Sequence, residues 1–218
     1  SETDFLLNLA KTHHSIRGVV GWIDLCADDV EAVLESYYGN PKLKGFRMLI
    51  HDRANVDFAD SIPHLNGVSL LNKYNFTYDL LLRTIHLPSA IRLVQKLPNQ
   101  PFVVDHIAKP AMDGSDLAAW KLGIKELSTY PNVMCKLSGL VTEADWENWH
   151  ASDFTMYLDF VLEAFGADRL MVGSDWPVCT VAADYIATMN ITDEWASKLS
   201  SDEQSLILGE TCAKFYSV

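Results

Sequence analysis

Six short runs of apolar residues punctuate the chain: IRGVVGWI at 16–23, LKGFRMLI at 43–50, FTYDLLL at 76–82, PFVVDH at 101–106, VMCKL at 133–137 and LMVG at 170–173. They recur at about the 30-residue spacing of a strand–helix repeat. The runs are apolar throughout and do not alternate, as parallel strands covered on both faces should be. Between them the pattern switches to helical spacing. A first helix follows a Ser1/Asp4 cap, with Phe5, Leu6, Leu9 and Ala10 on one face. Further helices are expected over 28–38, 62–73 (interrupted by Pro63 and Gly67), 88–97, 115–129 with Ser115 as cap, and 154–165 ended by Gly166. Two more are expected over 181–198 and 201–215, the last with Ser201 and Gln204 in capping-box spacing. Residues 142–149, with Trp146 and Trp149, read as a lid or short helix on the rim.

This alternation predicts an α/β fold built on parallel strands, either a doubly wound sheet or part of a barrel. A nucleotide-binding doubly wound sheet carries a Gly-rich loop after its first strand, and Ile23-Asp24-Leu25-Cys26-Ala27 is not one. The barrel is favoured. No Pro/Gly/Ser-rich linker or charge run divides residues 1–218, so one domain is expected.

Composition narrows the partners. A formal net charge of -12 repels phosphate backbones, and no basic patch offsets it, so nucleic acid is not an expected partner. Cys26, Cys135, Cys179 and Cys212 form no C-x-x-C pair and no short disulfide framework, which suits a reducing compartment. No apolar stretch approaches the roughly 18 residues of a membrane span, and Glu2 and Asp4 stand where a secretory signal would be basic. The expected location is cytoplasmic, with no membrane partner; the oligomeric state is not legible.

Candidate chemistry gathers at strand ends. Gly173 breaks the sixth run and delivers Asp175, after which Pro177 forbids continuation of the ladder. An Asp there can cap a following helix over 180–189, but the fourth run also ends on titratable groups, Asp105-His106. Two such strands aimed at one rim suggest a site, since barrel enzymes keep their chemistry at the carboxyl ends of strands. Arg47, Asp79 and Lys136 are charges inside apolar runs and each needs a partner. Arg47 and Lys136 can bind a sugar hydroxyl or carboxylate, or pair structurally with Asp79 or Asp105. His51, just past a strand end, can touch a ligand or be solvated. Trp176 is placed to wall the pocket. His64, His86 and His150 carry no motif.

The stretches FVVDHIAKP (102–110), VMCKLSGL (133–140) and RLMVGSDWPV (169–178), in that order and spacing, resemble the amidohydrolase-related (amidohydrolase 2) family of TIM-barrel metal-dependent hydrolases. The likeness is to its sugar-lactonase branch, which includes L-fuconolactonase-like and 2-pyrone-4,6-dicarboxylate lactonase-like enzymes. It extends to SETDFLL at the start, VVGWIDL (19–25), KGFRMLI (44–50) and GETCAKFY (209–216), and so spans the chain. The resemblance implies a (β/α)8 barrel and hydrolysis of a small sugar-acid lactone. It makes Asp175 the group that activates water, with His106 and Lys109 binding and polarising the substrate carbonyl and Arg47 contacting substrate. His51, Lys136 and Trp176 complete the candidate binding set.

Two departures matter. The family opens with a strand carrying an H-x-H pair and then a second strand, and neither is in this sequence. The expectation is therefore an incomplete barrel of about six parallel strands with the first two missing. The family motif GENA also reads here as Gly209-Glu210-Thr211-Cys212. Members vary in their need for a divalent metal such as zinc. The matched motifs offer only His106 and Asp175 as donors, so no metal site is assigned firmly. The expected partner is a small-molecule lactone. The rival readings are a catalytically incompetent fragment or scaffold, whose open sheet edges would invite pairing, and a decarboxylase of the same superfamily.

Overall fold

A computed structural model describes residues 1–218. Six strands, β1 (Val19–Gly21), β2 (Leu43–Leu49), β3 (Thr77–Leu81), β4 (Phe102–Val104), β5 (Val133–Leu137) and β6 (Leu170–Val172), form one parallel sheet in sequential order. The helices are α1 (Glu2–Thr12), α2 (Val30–Tyr37), α3 (Ile62–Leu71), α4 (Leu87–Lys96), α5 (Leu117–Leu127), α6 (Ala151–Phe165), α7 (Tyr185–Ala196), α8 (Ser201–Ser205) and α9 (Thr211–Tyr216). Val19 and Val20 of β1 and Met171 and Val172 of β6 line a common cavity although they lie at opposite edges of the sheet. The sheet therefore curls as an incomplete barrel does, with all six anticipated strands in place.

Strand register sorts the side chains. Phe46, Tyr78 and Phe102 are aligned partners on three neighbouring strands and are fully buried under the helices. The next aligned position, Arg47 beside Asp79, points to the concave face because successive strand side chains alternate. Three inward positions of an otherwise apolar sheet are thus spent on charge: Arg47, Asp79 and Lys136. No helix is long and apolar enough to cross a membrane.

Several local expectations shift. The buried side of α1 is Thr3, Leu7 and Ala10, while Phe5 is exposed. The Thr3 hydroxyl donates to the Trp22 carbonyl at 2.7 Å and accepts from the Trp22 amide at 2.9 Å, which fixes the helix on the end of β1 and sets its rotation. Helix α3 survives Pro63, which sits in its first turn. A Cβ on Gly67 would lie 1.9 Å from the Leu25 carbonyl oxygen, so this glycine permits the close approach. Helix α5 begins after Asp116 and not at Ser115. The C-terminal capping box is Ser200 with Glu203, one residue before the expected pair. The long helix expected over 181–198 is a 3-10 turn (Val178–Val181) and then α7, capped by Asp184. The last helix carries a π turn at Leu206–Glu210 between α8 and α9.

His64 is buried against β3, with Nδ1 2.7 Å from the Ala59 carbonyl oxygen and Nε2 2.7 Å from the Tyr78 hydroxyl. The carbonyl can only accept, so Nδ1 carries the hydrogen and Nε2 accepts from Tyr78. Burial pushes the His64 imidazole down to about 4. The unfolded chain binds this proton near pH 6.5 and the folded one does not, so stability is full above that pH and declines as pH falls towards 4. Urea titrations should show a loss of roughly 3 kcal/mol attributable to this group over that window. In His64→Gln the slope should flatten, and an unchanged slope would remove His64 from the acid sensitivity.

Candidate active site

Strand β4 ends at Val104, and the next residues turn in an uncommon way. His106, Ile107, Ala108 and Lys109 all have positive φ, at 53°, 46°, 63° and 47°. Non-glycine residues pay roughly 1–2 kcal/mol each for a left-handed conformation, so a run of four persists only if its surroundings impose it. The Lys109 amide donates to the His106 carbonyl at 2.8 Å, closing the turn. The Trp120 indole N–H donates to the Ile107 carbonyl at 2.7 Å, and Ile107 and Ala108 are fully buried. A Cβ on Gly139, itself at φ +64°, would lie 2.7 Å from the His106 Cβ and Cγ, so only glycine lets the imidazole lie there.

The turn sets His106 into the cavity. Its Nδ1 is 2.8 Å from the Ser138 hydroxyl and its Nε2 is 3.5 Å from Asp175 Oδ1. Asp175 follows β6, also at positive φ (55°), with its other oxygen 3.5 Å from the Thr142 hydroxyl. It caps no helix; its carbonyl accepts from the Cys179 amide in the 3-10 turn beyond. Burial lowers the His106 pKa against the opposing pull of Asp105 and Asp175, which favours a neutral imidazole.

Beneath this pair lies a chain of charges. Arg47 Nη1 is 3.1 Å from Asp105 Oδ2, and the Lys136 ammonium is 2.7 Å from Asp105 Oδ1 and 2.5 Å from Asp79 Oδ2. Both carboxylates are almost wholly buried. Burial alone would raise Asp105, but Lys136, His106 and Arg47 overcome it and hold this carboxyl well below the usual range. Asp79 goes the other way: burial raises it, and the nearby Asp105 adds to the rise against the pull of Lys136. Burial should lower Lys136, yet the two carboxylates keep it charged, well above the ordinary lysine value. The cavity above, about 500 Å³, is lined by Arg47, His106, Lys136, Ser138, Asp175 and an exposed Trp176, among others.

Five of the seven sequence-derived candidates therefore meet at one cavity: Asp175, His106, Arg47, Lys136 and Trp176. Lys109 and His51 do not. The Lys109 ammonium is 2.8 Å from Glu143 Oε1, whose other oxygen takes Arg83 at 2.7 Å, and Lys109 lines a separate cleft between the loops after β3, β4 and β5. The resemblance placed it on a substrate carbonyl; here its ammonium faces Glu143 and not the barrel cavity. His51 Nε2 is 3.0 Å from Asp52, and the side chain does not line the cavity. The sequence reading did not single out Ser138, Gly139, Trp120 or Tyr216. Ser138 and Gly139 stood in plain view in SGL, but their bearing on His106 depends on a turn that no local pattern announces.

A family model for amidohydrolases matches residues 2–218. The chain belongs to that family. It is 41% identical to an L-fucono-1,5-lactonase of Burkholderia multivorans over 100% of this chain and 77% of that protein. To an L-fucono-1,5-lactonase of Burkholderia ambifaria it is 32% identical, over 100% of this chain and 76% of the relative. A crystal structure of a Burkholderia multivorans amidohydrolase with bound zinc superposes with a TM-score of 0.92 at 41% identity, covering 99% of this chain and 78% of that one. That amidohydrolase holds zinc, but the residues here do not make up a site for it. His106 and Asp175 give two donors where a catalytic zinc takes three, and no group of three His, Cys, Asp or Glu side chains is placed to hold a metal.

Gly139→Ala should destabilise the fold by about 1–3 kcal/mol, because the new methyl meets the His106 ring at a positive φ. Urea unfolding and the His106 ring resonances would both move. An unchanged midpoint with unshifted resonances would contradict the packing described.

Proposed function

We propose that this chain hydrolyses the lactone of a sugar acid, with L-fucono-1,5-lactone the first substrate to test. The reading is carried by the Asp175–His106 pair at the cavity, and the two L-fucono-1,5-lactonase relatives support it. Asp175 takes a proton from water as the water oxygen attacks the lactone carbonyl. Neutral His106, accepting from Ser138 at Nδ1, presents Nε2–H to the oxyanion that forms. Collapse breaks the ring C–O bond, and the departing alkoxide takes the proton held by Asp175, leaving an open-chain hydroxy acid.

The charges around the pair divide into held and free cations. Lys136 is held between two carboxylates, and one side of Arg47 is held by Asp105. Arg17 and Lys44 also line the cavity, and neither is paired with a carboxylate. Arg47 is half-exposed, so its remaining N–H groups can donate to a sugar hydroxyl, and Trp176 can cover an apolar sugar face. Lys136, held on both sides, serves the cavity's charge more than the ligand. Neither relative favours a decarboxylase or an inactive scaffold. A small-molecule lactone remains the partner this reading names.

Acid release from L-fucono-1,5-lactone at constant pH tests the proposal. Asp175→Asn should lower kcat/KM by at least about 10²-fold, the scale of a lost general base, with a smaller change in KM. Equal rates in variant and wild type would remove Asp175 from the mechanism.

A further inference from the structure

Tyr216 closes the far end of the buried charge chain. It ends α9 and lies 137 positions from Asp79 in sequence, yet its hydroxyl is 2.8 Å from Asp79 Oδ2 and 3.0 Å from Oδ1. Its ring faces the Lys136 ammonium at 5.6 Å from the centroid and stands edge-on to Phe215 at 4.8 Å. The last turn is tethered to the strands by the Lys44 ammonium, 2.9 Å from the Ser217 carbonyl. One side chain thus touches both an acid and the cation that the acid shares with Asp105.

We propose that Tyr216 is a positioning residue of the catalytic cavity: by donating to Asp79 it anchors that carboxyl group and so centres Lys136 between Asp79 and Asp105. The inference rests on the lactonase reading for its kinetic consequences but not for its structural ones. The titratable and charged groups that face Asp79 are Lys136 from β5, Arg47 from β2, Asp105 after β4, and Cys212 and Tyr216 from α9. Among them, Lys136 and Tyr216 are its hydrogen-bond donors. Burial holds the phenol well above its ordinary pKa, so it remains a donor across the working range. If it is lost, Asp79 keeps a single donor and takes up a proton more readily. Lys136 then moves wholly to Asp105 and loosens the hold of Asp105 on Arg47, which lines the cavity.

Tyr216→Phe keeps the ring over Lys136 and deletes only the hydroxyl, so folding should survive. The 13C NMR midpoint of the Asp79 carboxyl should rise by about one unit in the variant, the scale of one lost hydrogen bond to a buried carboxylate. The acid limb of kcat/KM on L-fucono-1,5-lactone should move up with it, giving about a tenfold loss on that limb and little at high pH. Adding Tyr216→Phe to Asp79→Asn should change the rate no further. An unmoved Asp79 midpoint overturns the proposal whether or not the lactone is a substrate. A moved midpoint with an unshifted acid limb, or additive losses in the double variant, overturns the link to the cavity. If wild type leaves the lactone intact, the function reading fails on that arm, and the NMR midpoint still decides the role of Tyr216.

Discussion

Everything at the concave face depends on four charges, Arg47, Asp79 and Lys136 inside β2, β3 and β5 and Asp105 just past the end of β4. Each is costly to bury alone, and removing one partner of such a set leaves an uncompensated charge in a poorly solvated interior. The set is stable only when the strands hold the register seen here, with Arg47 beside Asp79 and Lys136 one position past the Val104–Cys135 pair. The apolar runs make the sheet. The charges fix which face turns inwards, because slipping one strand by a residue would drive a charge into the helix layer occupied by Phe46, Tyr78 and Phe102.

From that base the strained part of the site follows. Asp105, anchored by Arg47 and Lys136, is the last residue before four left-handed positions. The cost of those positions is met by the buried Ile107 and Ala108, by the Trp120 indole and by the space at Gly139. The result sets a neutral imidazole 3.5 Å from Asp175, itself at positive φ. Both halves of the pair at the cavity are therefore in left-handed conformations, uncommon for non-glycine residues although Asp and His tolerate them better than most, and such positions are where functional geometry is commonly found.

The sequence made some of this legible and not the rest, for physical reasons. Parallel strands buried on both faces read as nearly continuous apolar runs, so all six could be located despite Lys44, Arg47, Asp79 and Lys136 inside them, and β5 agrees at both ends. Asp175 and His106 could be singled out because each stands just past a strand end, but positive-φ turns that the sequence does not announce are what aim them. Arg47 and Lys136 could be seen to need partners, but whether those were ligand or protein was a question of distance between strands. Lys109 and His51 face Glu143 and Asp52 and not the cavity, although His51 stands no further past its strand than His106 does past its own. Nothing in DHIAKP signals four positive φ values, and Glu143, which takes the Lys109 ammonium, belongs to a segment with no motif. Tyr216 was hidden by separation, since an aromatic residue at a helix end reads as core until the strand opposite is known. Phe5 failed for a different reason: helical spacing offered two adjacent faces, and the paired hydrogen bonds of Thr3 chose between them.

A double-mutant cycle on Asp105→Asn and Lys136→Met tests most directly whether the charges act as one unit beneath the site. Unfolding free energies and lactone kcat/KM would be measured for the wild type, both single variants and the double variant. The account predicts that each single change costs about 3–5 kcal/mol of stability and that the double costs less than their sum by at least roughly 1.5 kcal/mol, with the same non-additivity in rate. Losses that add to within about 0.5 kcal/mol would show two independent residues and contradict it.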